Sequence, residues 1–266
     1  MKRLTWLGLG LLLLMVLAAL LGPELWPQDP LRQDYGRLYA PPSAENPLGT
    51  DNLGRDVFAR VLLGGRISLT IAFSATLGAL LLGLLGGLLA GGRGSWLDIV
   101  LTRLSDALLA FPGFLLVLLV VVILGNGQLQ TIAALAVGGT PVFFRLTRGY
   151  TRSILGSEYV TAAVALGASR SRILPRHVLP NLIGALIVQA ASVAATFLLV
   201  EASLSFLGLG IAPPTPTWGN VLQDARSLLI RQPWAAVGPG LVLGATTLGL
   251  QLLADGLRDR FDPRSR

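Results

Sequence analysis

Six mostly apolar windows of about 20 residues recur along this sequence, at 4–22, 68–90, 97–124, 129–146, 182–206 and 235–254. A stretch of that length, wound as a helix at about 1.5 Å per residue, crosses the roughly 30 Å of a bilayer's hydrocarbon. Six such windows in 266 residues, 53% of them hydrophobic, exceed what a soluble core of this size can use. The chain is therefore predicted to be an all-α membrane protein with six transmembrane helices. Residues 1–67 are expected to hold the first helix and an external segment. Residues 68–266 are expected to form a five-helix core with a polar cytoplasmic segment at 157–180.

The formal net charge of +7 comes almost wholly from arginine, Lys2 being the only lysine. Threading six spans from a cytoplasmic N-terminus leaves twice as many basic residues inside as outside. That is the bias that orients membrane proteins, so both termini are placed in the cytoplasm. The basic charge then follows from orientation and asks for no nucleic acid, and no basic–aromatic pattern accompanies it. Lys2-Arg3 and the run behind them could open a signal peptide. The run is long for one, however, and no small-x-small cleavage site precedes Pro23, so an uncleaved first span is expected. The sequence has no cysteine, which excludes disulfides and thiolate metal sites, and its single histidine, His177, cannot form a cluster. No metal site and no catalytic residue are expected. A phosphate-binding loop needs a lysine behind its glycines. None is available, so any ATP-derived energy must come from another subunit.

Residues 157–180 form a polar island between apolar runs. Tyr159, Ala162, Ala163 and Leu166 fall at i, i+3, i+4 and i+7, one helical stripe. Ser157 stands where an N-cap would, and Gly167 follows the stripe where the chain can turn. Pro175 and Pro180 are expected to limit the helix. A short helix with a basic tail, held at a membrane surface by spans on both sides, is a place for a partner to dock.

Other stretches carry expectations of their own. Val57, Phe58, Val61 and Leu62 lie opposite Asp56 and Arg60, which suggests a short interfacial helix before the second span. The Asp-, Asn- and Gly-rich run just before it lacks the alternating ligands and downstream glutamate of a calcium loop. Gly83, Gly87 and Gly91 share a face of the second span, either to admit another helix or as glycine is used generally in membranes. Phe111-Pro112-Gly113 should kink the third span, where Arg103 and Asp106 are spaced to pair. In the fifth, Gln189, Ser192 and Thr196 form a weakly polar stripe for a translocation path or a partner helix. Glu201 is the one acid well inside an apolar run, which makes it a functional candidate. Bracing of the outer loop and gating both remain open for it. Trp218 and Trp234, beside a short outer helix over 221–234, are expected at interfacial depth.

Four of these stretches resemble signatures of one family. Thr161-Ala162-Ala163, Gly167 and Leu179-Pro180 are spaced like the cytoplasmic Glu-Ala-Ala motif of ABC importer permeases. Thr161 stands in place of the motif's glutamate, and Glu158 lies one turn earlier. Gly49-Thr50-Asp51 with Gly54-Arg55-Asp56 resembles the segment before the second span of dipeptide, oligopeptide and nickel permeases. The run from Glu201 to Gly210, with the prolines behind it, is similar to the same family, as is Asp255-Gly256-Leu257-Arg258-Asp259, although Ala254 replaces a glycine there. The resemblance covers residues 47–263.

The resemblance implies a type I ABC importer permease in a bacterial inner membrane, working by alternating access on peptides or a related small solute such as nickel. It implies that Glu158, Thr161, Ala162, Ala163, Leu166, Gly167, Ala168, Leu179 and Pro180 couple the chain to separate ATPase subunits. No cofactor is expected in this chain, since ATP and magnesium would sit on those subunits. A homologous permease and an extracytoplasmic substrate-binding protein complete the implied assembly. A secondary transporter without an ATPase is the alternative, but it would want ionisable groups along its path, and only Glu201 qualifies.

Overall fold

The computed structural model describes residues 3–93, 96–229 and 232–261. Gly94 and Ser95 of the turn expected after the second span, and the terminal Asp262-Pro263-Arg264, lie outside these residues. Helix α1 (Arg3–Leu25) leads into an extended segment with a single 3-10 turn at Tyr35–Arg37. Helix α2 then runs unbroken over Val57–Arg93, 37 residues. At about 1.5 Å per residue that is roughly 55 Å, longer than the ~40–45 Å of a whole bilayer. The separate interfacial helix expected at 57–62 is thus corrected: those residues are the first turns of α2.

The third window departs most from expectation. It forms α3 (Trp96–Ala110) and α4 (Gly113–Leu124), bent by 96° at the break between them. Pro112 has no N–H to donate and occupies the cap position of α4 with ψ 124°, so the helix is broken there rather than kinked. Among the described residues, five helices are long and apolar enough to cross a membrane, or six if this bent pair counts as one span.

Helix α5 (Gln128–Leu155) is followed by the short α6 (Glu158–Ala165) and α7 (Arg170–Ile173). A π turn at Leu174–Val178 passes directly into α8 (Leu179–Phe206). Pro175 and Pro180 therefore do not stop the helix. Both prolines stand in the opening positions of their turns, where an N–H has no helical partner to miss, and Leu179 N–H closes the wider turn on the Leu174 carbonyl. Helix α9 (Trp218–Ala225) opens with a reciprocal cap. Thr217 Oγ1 accepts from Asn220 N–H at 3.2 Å, and Asn220 Oδ1 accepts from Thr217 N–H at 2.8 Å. It covers only the start of the outer helix expected at 221–234, and a 3-10 turn at Arg226–Leu228 follows it. Helix α10 (Trp234–Phe261) ends the described chain.

Helices α2, α5 and α8 build the core, with Ile71, Ala75, Leu135, Phe143, Leu182 and Leu198 buried among them. The three glycines of α2 make the seam. A Cβ built at Gly83, Gly87 or Gly91 would lie 2.4, 2.5 or 2.7 Å from the Cβ of Phe143, Thr147 or Thr151 on α5. Of the two readings open for these glycines, close approach of a helix is the one observed, and that helix belongs to the same chain. Helix α1 lies at the periphery. Its Thr5 packs on Gly256, and its Gly8 lies close to Gly249 and Leu252 of α10.

Candidate functional site

A half-open cavity of about 290 Å³ lies among α4, α5 and α8. Gly113, Phe114 and Val117 of α4 form one wall and Leu135, Gly138, Gly139 and Val142 of α5 another. Helix α8 supplies the third, and its polar groups there are Gln189, Ser192 and Thr196. The stripe spaced at i, i+3 and i+7 thus meets a cavity instead of lipid. Its remaining lining is apolar, so these three side chains are its hydrogen-bonding groups.

Glu201 does not reach this cavity. It is fully buried near the far end of α8, where Ser205 Oγ donates to its Oε1 at 2.8 Å. The hydroxyls of Ser68 and Thr217 face the same carboxyl at looser geometry, and Oε2 makes no well-formed bond. Ser68 Oγ also accepts from Trp218 N–H at 3.2 Å, while Trp218 Nε1 donates to the Val61 carbonyl at 2.9 Å. Glu201 therefore sits where α2, α8 and the start of α9 meet. Trp218, expected at the lipid interface, is instead a buried side chain of this junction. Its indole N–H finds a carbonyl partner inside the protein, and that satisfies the polar edge a belt tryptophan would turn to headgroups.

The segment 49–56 forms a knot at the same end of the molecule. Asp51 Oδ1 accepts the N–H groups of Leu53 and Arg55 at 2.9 and 3.0 Å, and its Oδ2 takes Arg55 Nε at 2.7 Å. Arg55 and Arg60 then share Asp224 Oδ2 of α9 at 3.1 and 3.0 Å. Both arginine side chains are nearly closed from solvent, at 6% and 3% exposure. Burial pushes Asp224 above the usual carboxylate range, against the pull of Arg60 and Arg55. Thr50 Oγ1 accepts from Ala40 N–H at 2.7 Å and donates to the Arg37 carbonyl. Asp56 caps α2, accepting Phe58 and Ala59 N–H at 3.2 Å each, and takes Trp26 Nε1 at 2.7 Å. A Cβ on Gly49 would stand 2.5 Å from the Ala40 carbonyl oxygen. Gly54, at φ +73°, would bring one to 1.8 Å from the Asp34 carbonyl oxygen. Arg55 and Asp56 thus tie the segment to α9 and α2, Asp51 holds Arg55 in place, and Gly49, Thr50 and Gly54 fold it against residues 34–40.

At the opposite end stands α6. Glu158, Thr161, Ala162 and Leu166 are exposed, Ala163 and Ala168 are half-buried, and Val160 is the one buried residue of α6. Leu166 is 90% exposed. Ser157 occupies the N-cap position, but its hydroxyl donates back to Ile154 and caps nothing. The helix closes as a Schellman motif, with Gly167 N–H on Val164 O at 2.9 Å and Ala168 N–H on Ala163 O at 3.0 Å. Gly167 takes φ +89°, the left-handed conformation this closure requires. Leu179 and Pro180 are not part of α6. They open α8, and α6 meets the π turn that precedes it through Tyr159 against His177, ring centroids 5.9 Å apart.

Between the ends runs a set of ion pairs that sequence spacing misassigned. Asp106 pairs with Arg145 of α5 at 2.7 Å, and not with Arg103, which is exposed. Asp98 accepts from Arg148 Nε at 2.6 Å and from Arg152 Nη2. Partners some 50 residues apart leave no periodic mark in a sequence. A usable signal was there: Arg145, Arg148 and Arg152 share one face of α5 and call for acids on a neighbour.

A family model described as "Binding-protein-dependent transport system inner membrane component" matches residues 83–266. The chain belongs to this family. A second model, the N-terminal TM domain of oligopeptide transport permease C, matches residues 1–42 of the permease. Over 265 residues the permease is 38% identical to the dipeptide transport system permease protein of Alkalihalophilus pseudofirmus, covering 100% of this chain and 87% of the relative. It is 41% identical to the glutathione transport system permease protein of Pectobacterium atrosepticum over 257 residues, 96% of this chain and 85% of that protein. A di/tripeptide transport system permease protein of Pseudomonas aeruginosa is 41% identical over 97% of this chain and 87% of its own length. Among solved structures, an inward-facing form of the MetNI methionine ABC transporter matches with a TM-score of 0.63. That match covers 76% of this chain and 96% of that one at 18% identity. It shows the shared fold of an ABC importer membrane subunit. The permease is thus a multi-pass inner-membrane transport subunit.

Proposed function

We propose that this permease forms half of the path of an ATP-driven peptide importer, with α6 as the element that docks on a separate ATPase subunit. The observation that carries the reading is α6 itself. It is a short helix, closed at its C-terminal end by the Schellman turn, whose apolar stripe, ending in Leu166, is turned to solvent at the end opposite the 49–56 knot. An exposed apolar stripe on a polar loop is stable in use only when another surface covers it. Glu158, Thr161, Ala162, Ala163 and Leu166 would make that contact. Gly167 and Ala168 would hold the turn behind them, and Leu179 and Pro180 would set the start of the span that receives the motion.

The α6 end is assigned to the cytoplasm, with both chain termini, and the knot to the outer face, where a substrate-binding protein would deliver its cargo. ATP and magnesium would be bound by the ATPase pair and not by this chain. The open side of the α4–α5–α8 cavity would be closed by a second permease of similar fold. Peptides are favoured over nickel: Gln189, Ser192 and Thr196 can hydrogen-bond amides, and the cavity's described lining offers no carboxylate, imidazole or thiol. The curated relatives named for dipeptides, di/tripeptides and glutathione support the same choice.

The test is co-purification of the tagged chain with its partners after Leu166→Asp. The site is open and the backbone ordinary, so the fold should be untouched, whereas Gly167 at φ +89° would confound bulk with strain. The variant should keep the second permease and lose the ATPase subunits. Recovery of the ATPases at the level of the unaltered chain would refute α6 as their docking site.

A further inference from the structure

Helix α3 is held to the bundle in an unusual way. Its buried residues are Asp98 and Ser105, while Trp96, Ile99, Val100 and Leu104 face outward. Polar contacts, more than apolar packing, fix its position. The strongest is Asp98, whose side chain is 10% exposed and which is gripped by Arg148 at 2.6 Å and by Arg152. Thr102 Oγ1 adds a longer bond at 3.4 Å. Asp106 and Arg145 make a second rung at 2.7 Å, both about half exposed, and such a pair is worth little by itself.

Both arginines of the strong rung sit on the last turns of α5, and only Gly156 and Ser157 separate that end from α6. The other end of α3 reaches the elbow at Phe111-Pro112, beyond which α4 presents Gly113, Phe114 and Val117 to the cavity. A continuous physical route therefore runs from α6 through the end of α5, across one buried carboxylate, along α3 and around the elbow to the cavity wall.

We propose that Asp98 is a positioning residue for transport, clamping α3 to the α6-bearing end of α5 so that displacement of α6 turns the elbow and moves α4. The inference rests on the reading of α6 as the ATPase-docking helix. A carboxylate held by two guanidinium groups resists sliding because motion at either arginine strips a charged hydrogen bond from a largely buried carboxylate, the more costly one on the Arg148 side, where the partner is 25% exposed. Removing its charge would leave Arg148 and Arg152 without a counter-charge and α3 without its principal tether. Coupling of this kind needs an element with two arrangements, and the 96° break between α3 and α4 is the joint at which the second would be reached.

The experiment uses the whole transporter with its ATPase subunits. Because this chain has no cysteine, spin labels can be placed at Leu104→Cys and Leu119→Cys, both exposed, one on each arm of the elbow. Their separation is read without nucleotide and with ATP plus vanadate. In the otherwise unaltered chain the two states should give different distances. In Asp98→Asn the difference should shrink by about half or more once the buried pair is broken, while the ATPase subunits still co-purify. Asp98→Glu should restore it, which a role in mere folding would not predict so selectively. An undiminished change in Asp98→Asn, or no change at the elbow in the unaltered chain, overturns the clamp. If Asp98→Asn fails to assemble, Arg152→Gln is read in its place. Its side chain is 46% exposed and its loss leaves Arg148 on Asp98, so an intermediate change is expected and a full one overturns the proposal. Failure of the docking reading is seen separately: Leu166→Asp would retain its ATPases, and a clamp driven by α6 would fall with it.

Discussion

Gly87→Ala should loosen the seam between α2 and α5, and the size of the effect can be worked from three distances. The new Cβ would lie 2.5 Å from Thr147 Cβ, 2.8 Å from Thr147 Cγ2 and 2.9 Å from the Phe144 carbonyl oxygen. Unbonded carbons rest at about 3.5–4.0 Å, so relief asks the two helices to part by roughly 1 Å. No flexible side-chain end can give way, since Thr147 Cβ and the Phe144 oxygen both move only with the backbone of α5. Overpacking of this kind costs about 1–3 kcal/mol.

Alanine also gains up to about 1 kcal/mol over glycine inside a helix, which would mask part of the loss. Gly244→Ala in α10 removes that ambiguity, because a Cβ there meets nothing within 4 Å. The two alanines share the propensity gain and differ in the clash. Thermal unfolding in detergent, followed by tryptophan fluorescence, should place Gly87→Ala below Gly244→Ala by about 2–4 °C for each kcal/mol. Thr147→Gly in the Gly87→Ala background, scored against Thr147→Gly alone so that its own cost as a helix glycine cancels, should recover part of the loss, because the Phe144 oxygen at 2.9 Å remains. Thr147→Ala should recover less, since it keeps the offending Cβ. The reasoning is refuted if Gly87→Ala melts with Gly244→Ala, or if both Thr147 variants rescue equally.

The 49–56 knot gives two further expectations. Asp224→Ala leaves Arg55 and Arg60 buried with Asp51 as their remaining carboxylate, and breaking a buried network in this way costs about 3–5 kcal/mol, the lower end applying here because Asp224 is 28% exposed. Chemical denaturation would measure it, and a loss below about 1 kcal/mol, the worth of a surface pair, would sink the description of the site as buried. Gly54→Ala combines φ +73° with a Cβ 1.8 Å from a carbonyl oxygen, so the 26–56 segment should become the first place cut in limited proteolysis. An unchanged digestion pattern would contradict that.

Apolar length was the most legible property of this sequence, because crossing a bilayer demands it whatever the neighbours are. Breaks and pairings were less so. Pro112 marks a disruption, but a 96° elbow and a kink have the same local sequence, and packing on either side decides between them. Pro175 and Pro180 read as stops, yet a π turn carried the helix past them. Asp98 lay in plain view without a cationic partner on its own helix, since its arginines come from α5. Trp218 looked like an interfacial residue until Val61 and Ser68 were seen to enclose it. The 49–56 motif was recognisable as a unit, but its work of tying α2 and α9 together depends on Asp224, which no spacing rule connects to it. The Gln189, Ser192 and Thr196 stripe did fall on a cavity. Glu201, left open from sequence between bracing and gating, lies apart from that cavity in the α2–α8–α9 junction.

The length and continuity of α2 have a consequence for how such a subunit can move. It holds no proline, its first turn is pinned by Asp56, and it reaches from the 49–56 knot to the level of Leu174, where the π turn begins. A rod of about 55 Å without a joint cannot shorten or fold. It works as a mast, fixed in length, against which the jointed parts must swing. The breaks are the α3–α4 elbow and the π turn before α8, so on the proposed importer reading any opening and closing falls to the rigging, and the mast sets how far each part can travel.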